Sequence, residues 1–200
     1  MGQHSVCERS SSAPQLKRGP LGAILRWLLF RLRFPEDQIP HWAARYEYGG
    51  EAELLAGPVT SARARGFLLK PEFLQIVRWK SPRSSSRCAK NEPGFVEELT
   101  RLALAPATSP RLRIECLTLL SGVNWPTASV ILHFCHREVY PILDFRALWS
   151  LKCAVPSTYG YTFWADYVAF ARGLCDKVGH DIRTVDRALW QYSKERQNGA

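Results

Sequence analysis

No run of about 20 mostly apolar residues, the length that a membrane-spanning helix requires, occurs in this 200-residue chain. The nearest stretch, Leu21 to Leu32, is shorter and carries Arg26 and Arg31, so it reads as an amphipathic helix packed on a core, and no membrane partner is expected. An N-myristoylation start needs Ser or Thr at the sixth position, where this chain has Val6. The six cysteines, at positions 7, 88, 116, 135, 153 and 175, form no C-x-x-C pair and follow no secretory signal. That argues against a zinc ribbon or a disulfide scaffold and for reduced thiols in a cytoplasmic chain. The histidines are equally scattered: His133 and His136 stand three apart on one predicted helix but lack further ligands, so no metal is expected. No stretch alternates convincingly with period two, and there is no internal repeat.

What remains is a globular composition, 46% hydrophobic and 12% aromatic, enough for one domain with a real core. The 27 Lys and Arg outnumber the 18 Asp and Glu, giving a net charge of +9 and favouring a polyanionic partner. Residues 1–19 read as a disordered basic tail, and residues 20–200 as a single all-helical domain. Helical spacing of apolar residues predicts segments Gly22 to Leu32, Glu36 to Tyr48, Val59 to Leu69, Pro71 to Trp79, Gly94 to Leu104, Pro110 to Leu120, Pro126 to His136, Phe145 to Leu151, Phe163 to Val178 and Val185 to Glu195. In the ninth, Trp164, Tyr167, Val168, Ala171, Leu174 and Val178 recur at steps of three and four as one apolar stripe. Thr184 is placed to cap the last segment. Gly49-Gly50, Gly57-Pro58, Pro93-Gly94, Pro106, Pro156 and Gly160 are the expected breakers.

Between Arg63 and Lys90 the cations Arg63, Arg65, Lys70, Arg78, Lys80, Arg83, Arg87 and Lys90 face one acid, Glu72. The part from Trp79 to Arg87, rich in serine, reads either as a flexible basic loop lying along a phosphate backbone, with Lys80, Arg83 and Arg87 as contacts, or as a merely solvated loop.

The segment Leu117 to Leu132 contains two apolar helical halves joined by a very short turn. Ser109 can cap the first half with Pro110 at its first position, and Gly122 can take the left-handed conformation that ends it. Asn124 tolerates positive φ and is also a good cap for the next helix, whose first turn accepts Pro126. Such a turn leaves amides at a helix amino terminus, where a phosphate binds. Tyr140 to Leu148 then places a lone carboxylate, Asp144, after an apolar, proline-restricted lead-in and before another helix, 22 residues beyond Gly122. Alone, it is an ordinary helix cap.

Together, Leu120-Ser121-Gly122-Val123-Asn124-Trp125-Pro126-Thr127-Ala128 and Leu143-Asp144 resemble the helix-hairpin-helix DNA glycosylases of base-excision repair, whose pattern runs apolar-Pro-Gly-Val-Gly-x-(Lys)-Thr-Ala, an apolar helix, then apolar-Asp. The likeness covers about a fifth of the chain; the stretch Thr184 to Trp190 resembles uncharacterised bacterial members. The resemblance implies an all-α, two-lobed bundle with the hairpin at residues 110–136, acting on double-stranded DNA as a monomer associated with the bacterial nucleoid. It implies that Ser121, Gly122, Val123, Asn124 and Thr127 grip phosphates, with a monovalent cation admissible at the hairpin carbonyls. Asp144 would then stabilise an oxocarbenium-like sugar over a flipped nucleotide.

Three departures bear on the chemistry. The family's Schiff-base lysine position is Pro126, which argues for monofunctional hydrolysis without strand cutting. Only Cys153 and Cys175 follow Asp144, too few for the family's iron–sulfur cluster, and no other cofactor is expected. Asn124 replaces the second hairpin glycine, and Arg146 and Trp149 stand where relatives usually carry His and Arg. Among the aromatics Trp79, Trp125, Trp149, Tyr159, Tyr161 and Trp164, Trp125 borders the hairpin and is the preferred base-stacking or wedge residue. Glu115, Glu138 and Asp186 are alternative carboxylates, each read as solvated or capping. The expected function is excision of a damaged or mispaired base through Asp144; a non-catalytic DNA binder of the same fold and a helical protein-interaction module are the alternatives.

Overall fold

The computed structural model describes residues 29–197, and they contain helices and no β-strand. The basic tail, Cys7, the position-six signal and most of the segment Gly22 to Leu32 lie outside the described residues. The helices are α1 (Ile39–Ala44), α2 (Glu51–Leu54), α3 (Thr60–Arg65), α4 (Lys70–Lys80), α5 (Ser85–Cys88), α6 (Pro93–Leu104), α7 (Pro110–Leu117), α8 (Trp125–Cys135), α9 (Phe145–Ser150), α10 (Tyr161–Val178) and α11 (Ile182–Arg196). A 3₁₀ turn, Glu36–Gln38, leads into α1. No helix among the described residues is long and apolar enough to cross a membrane.

The helices sort by contact into two groups. α11 packs on α1, α9 and α10, while α4, α6, α7 and α8 pack on one another together with α3. Contacts between α7 and α10 join the groups. The stripe on α10 is buried at Trp164, Tyr167, Val168, Ala171 and Leu174, with Val178 packed at its edge. The chain enters beside α9, where the amides of Arg31 and Arg33 donate to the carbonyls of Leu151 and Ser150 at 2.8 and 2.9 Å.

Local chemistry departs from the sequence expectation in three places. Gly57-Pro58 does not break its helix: Leu55–Val59 forms a wide π-type turn that joins α2 to α3. Proline lacks an amide, and the widened turn accommodates it, while the Thr60 hydroxyl donates to the Leu55 carbonyl at 2.6 Å. The expected flexible loop after Trp79 is helical. α4 runs to Lys80, Pro82–Ser84 forms a 3₁₀ turn and α5 follows directly. The cap of α11 is Asp181 rather than Thr184; its carboxylate accepts the Thr184 amide at 2.7 Å and the Thr184 hydroxyl at 3.1 Å. That amide bond is the main reason the Asp181 carboxyl titrates below its usual value.

Candidate functional site

A pocket of about 290 Å³ opens where the two helix groups meet. Tyr46 and Tyr48, after α1, contribute one wall, and Trp79 and Lys80, at the end of α4, another. The segment before α9 brings Ile142 and Asp144, α9 brings Arg146, and α11 brings Arg183, Asp186 and Trp190. The aromatic rings meet edge to face: Tyr48 against Trp79 at 4.9 Å and 79°, and Trp190 against Tyr48 and Tyr46 at 5.3 Å with angles of 78° and 74°. Such pairs are the favoured geometry for ring quadrupoles, so the walls are fixed. The Tyr48 hydroxyl donates to the Trp79 carbonyl and the Trp79 indole to the Gly49 carbonyl. Gly50, at φ +80°, lets the turn close over Trp79.

Asp144 has two roles. One carboxylate oxygen accepts the Arg146 amide at 2.8 Å and caps α9; the other pairs with the Lys80 ammonium inside the pocket. Both side chains are nearly buried, at 13% exposure for Lys80 and 14% for Asp144. The lead-in to Asp144 is clamped from several sides. Asp186 accepts the Ile142 amide at 3.2 Å, the Tyr167 hydroxyl donates to the Ile142 carbonyl at 2.9 Å, and the Ser129 hydroxyl on α8 accepts the Leu143 amide at 2.9 Å. His133, also on α8, donates from Nδ1 to the Tyr140 carbonyl at 2.6 Å. Burial lowers its pKa, which keeps the ring neutral.

Asp186 is neither solvated nor a cap. Buried, with its pKa raised by desolvation, it pairs with Arg183 at 2.6 Å. Arg183 in turn meets Glu51 through Nε at 2.9 Å and through Nη2, and donates to the Tyr46 hydroxyl at 3.0 Å. Burial pushes the Tyr46 hydroxyl up to about 12 despite Arg183 beside it. Arg187 adds a second cation on Glu51 at 2.9 Å. Glu138, which is exposed, pairs with Arg113 and Arg172, and Glu115 with Arg111 on the helix surface.

The hairpin is tied to this pocket through α5, which begins five residues past Lys80 and packs against the hairpin turn. Gly122 has φ +80°, and a Cβ there would lie 2.7 Å from Cys88 Sγ and 3.0 Å from the Cys88 backbone nitrogen, so only glycine fits. Asn91, which the sequence reading missed, clasps the turn: its side chain accepts the Ser121 amide at 2.8 Å and donates to the Ser121 carbonyl at 3.0 Å. The Val123 amide donates to Leu120. Asn124 keeps negative φ and caps α8, accepting the Thr127 amide at 3.1 Å and hydroxyl at 3.0 Å. Ser109 caps α7 through the Leu112 amide, as expected. The Gly122 and Asn124 amides have no acceptor among the described residues.

Of the residues singled out in the sequence, Lys80 and Asp144 meet in the pocket, while Arg83 and Arg87 are exposed on the helical stretch beside the hairpin turn. Trp125 does not line the pocket; it is half-buried, 6.4 Å from the Trp164 ring. Trp79 takes the wall position instead. Tyr46, Tyr48, Arg183 and Trp190 carry no local motif that could have announced them. No family model, curated protein or solved structure matches this chain.

Proposed function

We propose that the protein is a helix-hairpin-helix DNA glycosylase in which the two helix groups are lobes and the pocket between them receives a flipped base. The observation that carries this reading is the Asp144 carboxylate, clamped on a rigid lead-in and set in an aromatic-walled pocket. About 290 Å³ falls at the small end of ligand pockets and suits one base. Asp144 stabilises positive charge developing on the sugar and takes a proton from the attacking water, while the C1′–N bond breaks and the base departs with the electron pair. The Gly122 and Asn124 amides hold the neighbouring phosphate. Arg146 lines the pocket with no carboxylate partner among the described residues, its guanidinium 5.5 Å from the Trp190 ring centroid and its Nη1 unbonded among them, so it favours a base that presents an acceptor edge.

A duplex panel carrying uracil, alkylated, oxidised and mispaired bases, followed by alkali cleavage, tests the reading. Asp144→Asn keeps a capping side chain and is expected to fold normally while excision falls about 10²- to 10⁴-fold. No excision by the wild type overturns it and leaves a DNA binder with steep salt dependence, and equal excision by the variant overturns the role of Asp144.

The Lys80–Asp144 pair favours a second, strand-cutting version. Pro126 occupies the hairpin lysine position, yet α4 delivers an amine to the same carboxylate. With its ammonium proton passed to Asp144, the Lys80 amine would add to C1′ of the abasic aldehyde, and Asp144 would return the proton as water leaves to give an iminium; Asp144 then takes a C2′ proton as the 3′ C–O bond breaks, and hydrolysis frees the amine. Borohydride converts that iminium to a stable protein–DNA adduct. An adduct formed by the wild type and missing in Lys80→Met supports this version; excision without any adduct leaves hydrolysis alone.

A further inference from the structure

At the opposite end of α8 from the hairpin, a distance of about 16 Å along an eleven-residue helix, three helices end together. The carboxyl ends of α3, α6 and α8 surround a cleft of about 290 Å³ lined by Arg63, Arg65, Arg101 and Arg137 and by no acidic residue. Only Arg65 has a carboxylate partner, Glu72; the other three have none among the described residues. Helix ends attract cations, but each carries only about half a negative charge. Three ends therefore account for about one and a half charges, against four arginines less one for Glu72. That leaves a surplus of about one and a half positive charges in the cleft.

Three of the four guanidiniums are also held in place. Arg63 donates from Nε to the Phe134 carbonyl at 2.7 Å, Arg65 from Nη2 to the Phe67 carbonyl at 3.2 Å, and Arg101 lies 3.7 Å over the Phe67 ring. Such anchoring lowers the side-chain entropy lost on gripping a ligand. Arg63 and Arg137 also line an adjoining groove of about 690 Å³. Of the acids of that groove, Glu51 is paired with Arg183 and Arg187 and Glu138 with Arg113 and Arg172, while Asp181 is bonded to the neutral Thr184 amide and hydroxyl and keeps its charge. The positive surplus is therefore concentrated in the cleft, whose lining has no acid.

We infer that this arginine cleft is a phosphoryl-oxyanion site, separate from the Asp144 pocket and independent of the glycosylase reading. Guanidinium forks match phosphate oxygens in geometry as well as charge. The experiment is calorimetric titration of the full chain with pyrophosphate at low salt, with sodium chloride at matched ionic strength as the control. The expected result is saturable binding of pyrophosphate by the wild type, about tenfold weaker in Arg101→Gln or Arg137→Gln and undetectable in the double variant. Arg101 and Arg137 donate no side-chain hydrogen bond to the backbone among the described residues, so melting temperatures within a few degrees of wild type serve as the folding check. Failure of the wild type to bind, or equal binding by a folded double variant, overturns the inference. A second arm adds unmodified duplex: displacement of pyrophosphate assigns the site to a strand backbone, and simultaneous binding assigns it to a free phosphate compound.

Discussion

The hairpin is built from neighbours in the chain, Leu120 through Thr127, with Asn91 and Cys88 as outside support, whereas the pocket draws its walls from Tyr46 at one end of the described chain to Trp190 at the other. Each construction fails differently. A turn built from local conformational preferences depends on single residues that no other can replace, such as Gly122. A pocket built from distant segments depends on the ion pairs and hydrogen bonds that hold them in register. Here that role falls to Arg183, which touches Tyr46, Glu51 and Asp186 at once, while Asp186 passes the constraint to the Ile142 amide, two residues before Asp144.

Arg183→Met is therefore expected to have the largest effect on stability. It leaves Asp186 buried without its cation and Glu51 with Arg187 alone, and breaking a buried ion pair from one side costs about 3–5 kcal/mol. Urea denaturation measures the loss. The comparison sharpens if fluorescence of Trp79 and Trp190 changes while duplex affinity per folded molecule stays near wild type; a variant as stable as wild type would show that Arg183 does not organise the pocket.

Gly122→Ala strikes the other region. The substitution forces a Cβ into 2.7 Å of Cys88 Sγ at φ +80°, and overpacking together with left-handed strain costs about 3 kcal/mol. Duplex affinity should fall along with the unfolding midpoint, while the fluorescence of the pocket tryptophans stays unchanged. If the pocket responds as strongly as the hairpin, the two regions are one mechanical unit, joined by the stretch from Lys80 to Cys88.

The same contrast explains what could be read in the sequence. Ser109, Gly122 and Asn124 announce the turn because their roles are fixed by residues within three or four positions. Asp144 is legible as a cap for the same reason. The helical class follows from spacing, as the buried stripe on α10 illustrates. Even local reading has limits: Thr184 and Asp181 are both competent caps, and only the position of the first helical turn chooses between them. Tyr46, Tyr48 and Trp190 have no neighbours that distinguish them from core aromatics, because their function as walls depends on contacts across most of the chain. Lys80 was legible as a cation on a basic stretch; that it faces Asp144 instead of solvent follows from where α4 ends against α9.

The smallest effect concerns acid. Burial pushes the Glu51 carboxyl up, but its pairs with Arg183 and Arg187 outweigh that and hold it below its ordinary 4.5. A carboxyl depressed by folding binds its proton more tightly in the unfolded chain, so the stability it contributes is present above about pH 4.5 and is lost as pH falls through its folded value. Asp186 works in the opposite sense. Its pKa is raised above the ordinary 3.8 by burial, so its contribution is present below 3.8 and fades as pH rises through the folded value. Glu51→Gln removes the first contribution and leaves the second. Stability measured by urea from pH 3 to pH 7 should therefore rise less steeply with pH at the acid end in this variant than in wild type. Parallel curves would mean that Glu51 meets its arginines no more closely in the folded protein than in the unfolded chain, and that the pocket is held by its aromatic edges instead of its charges.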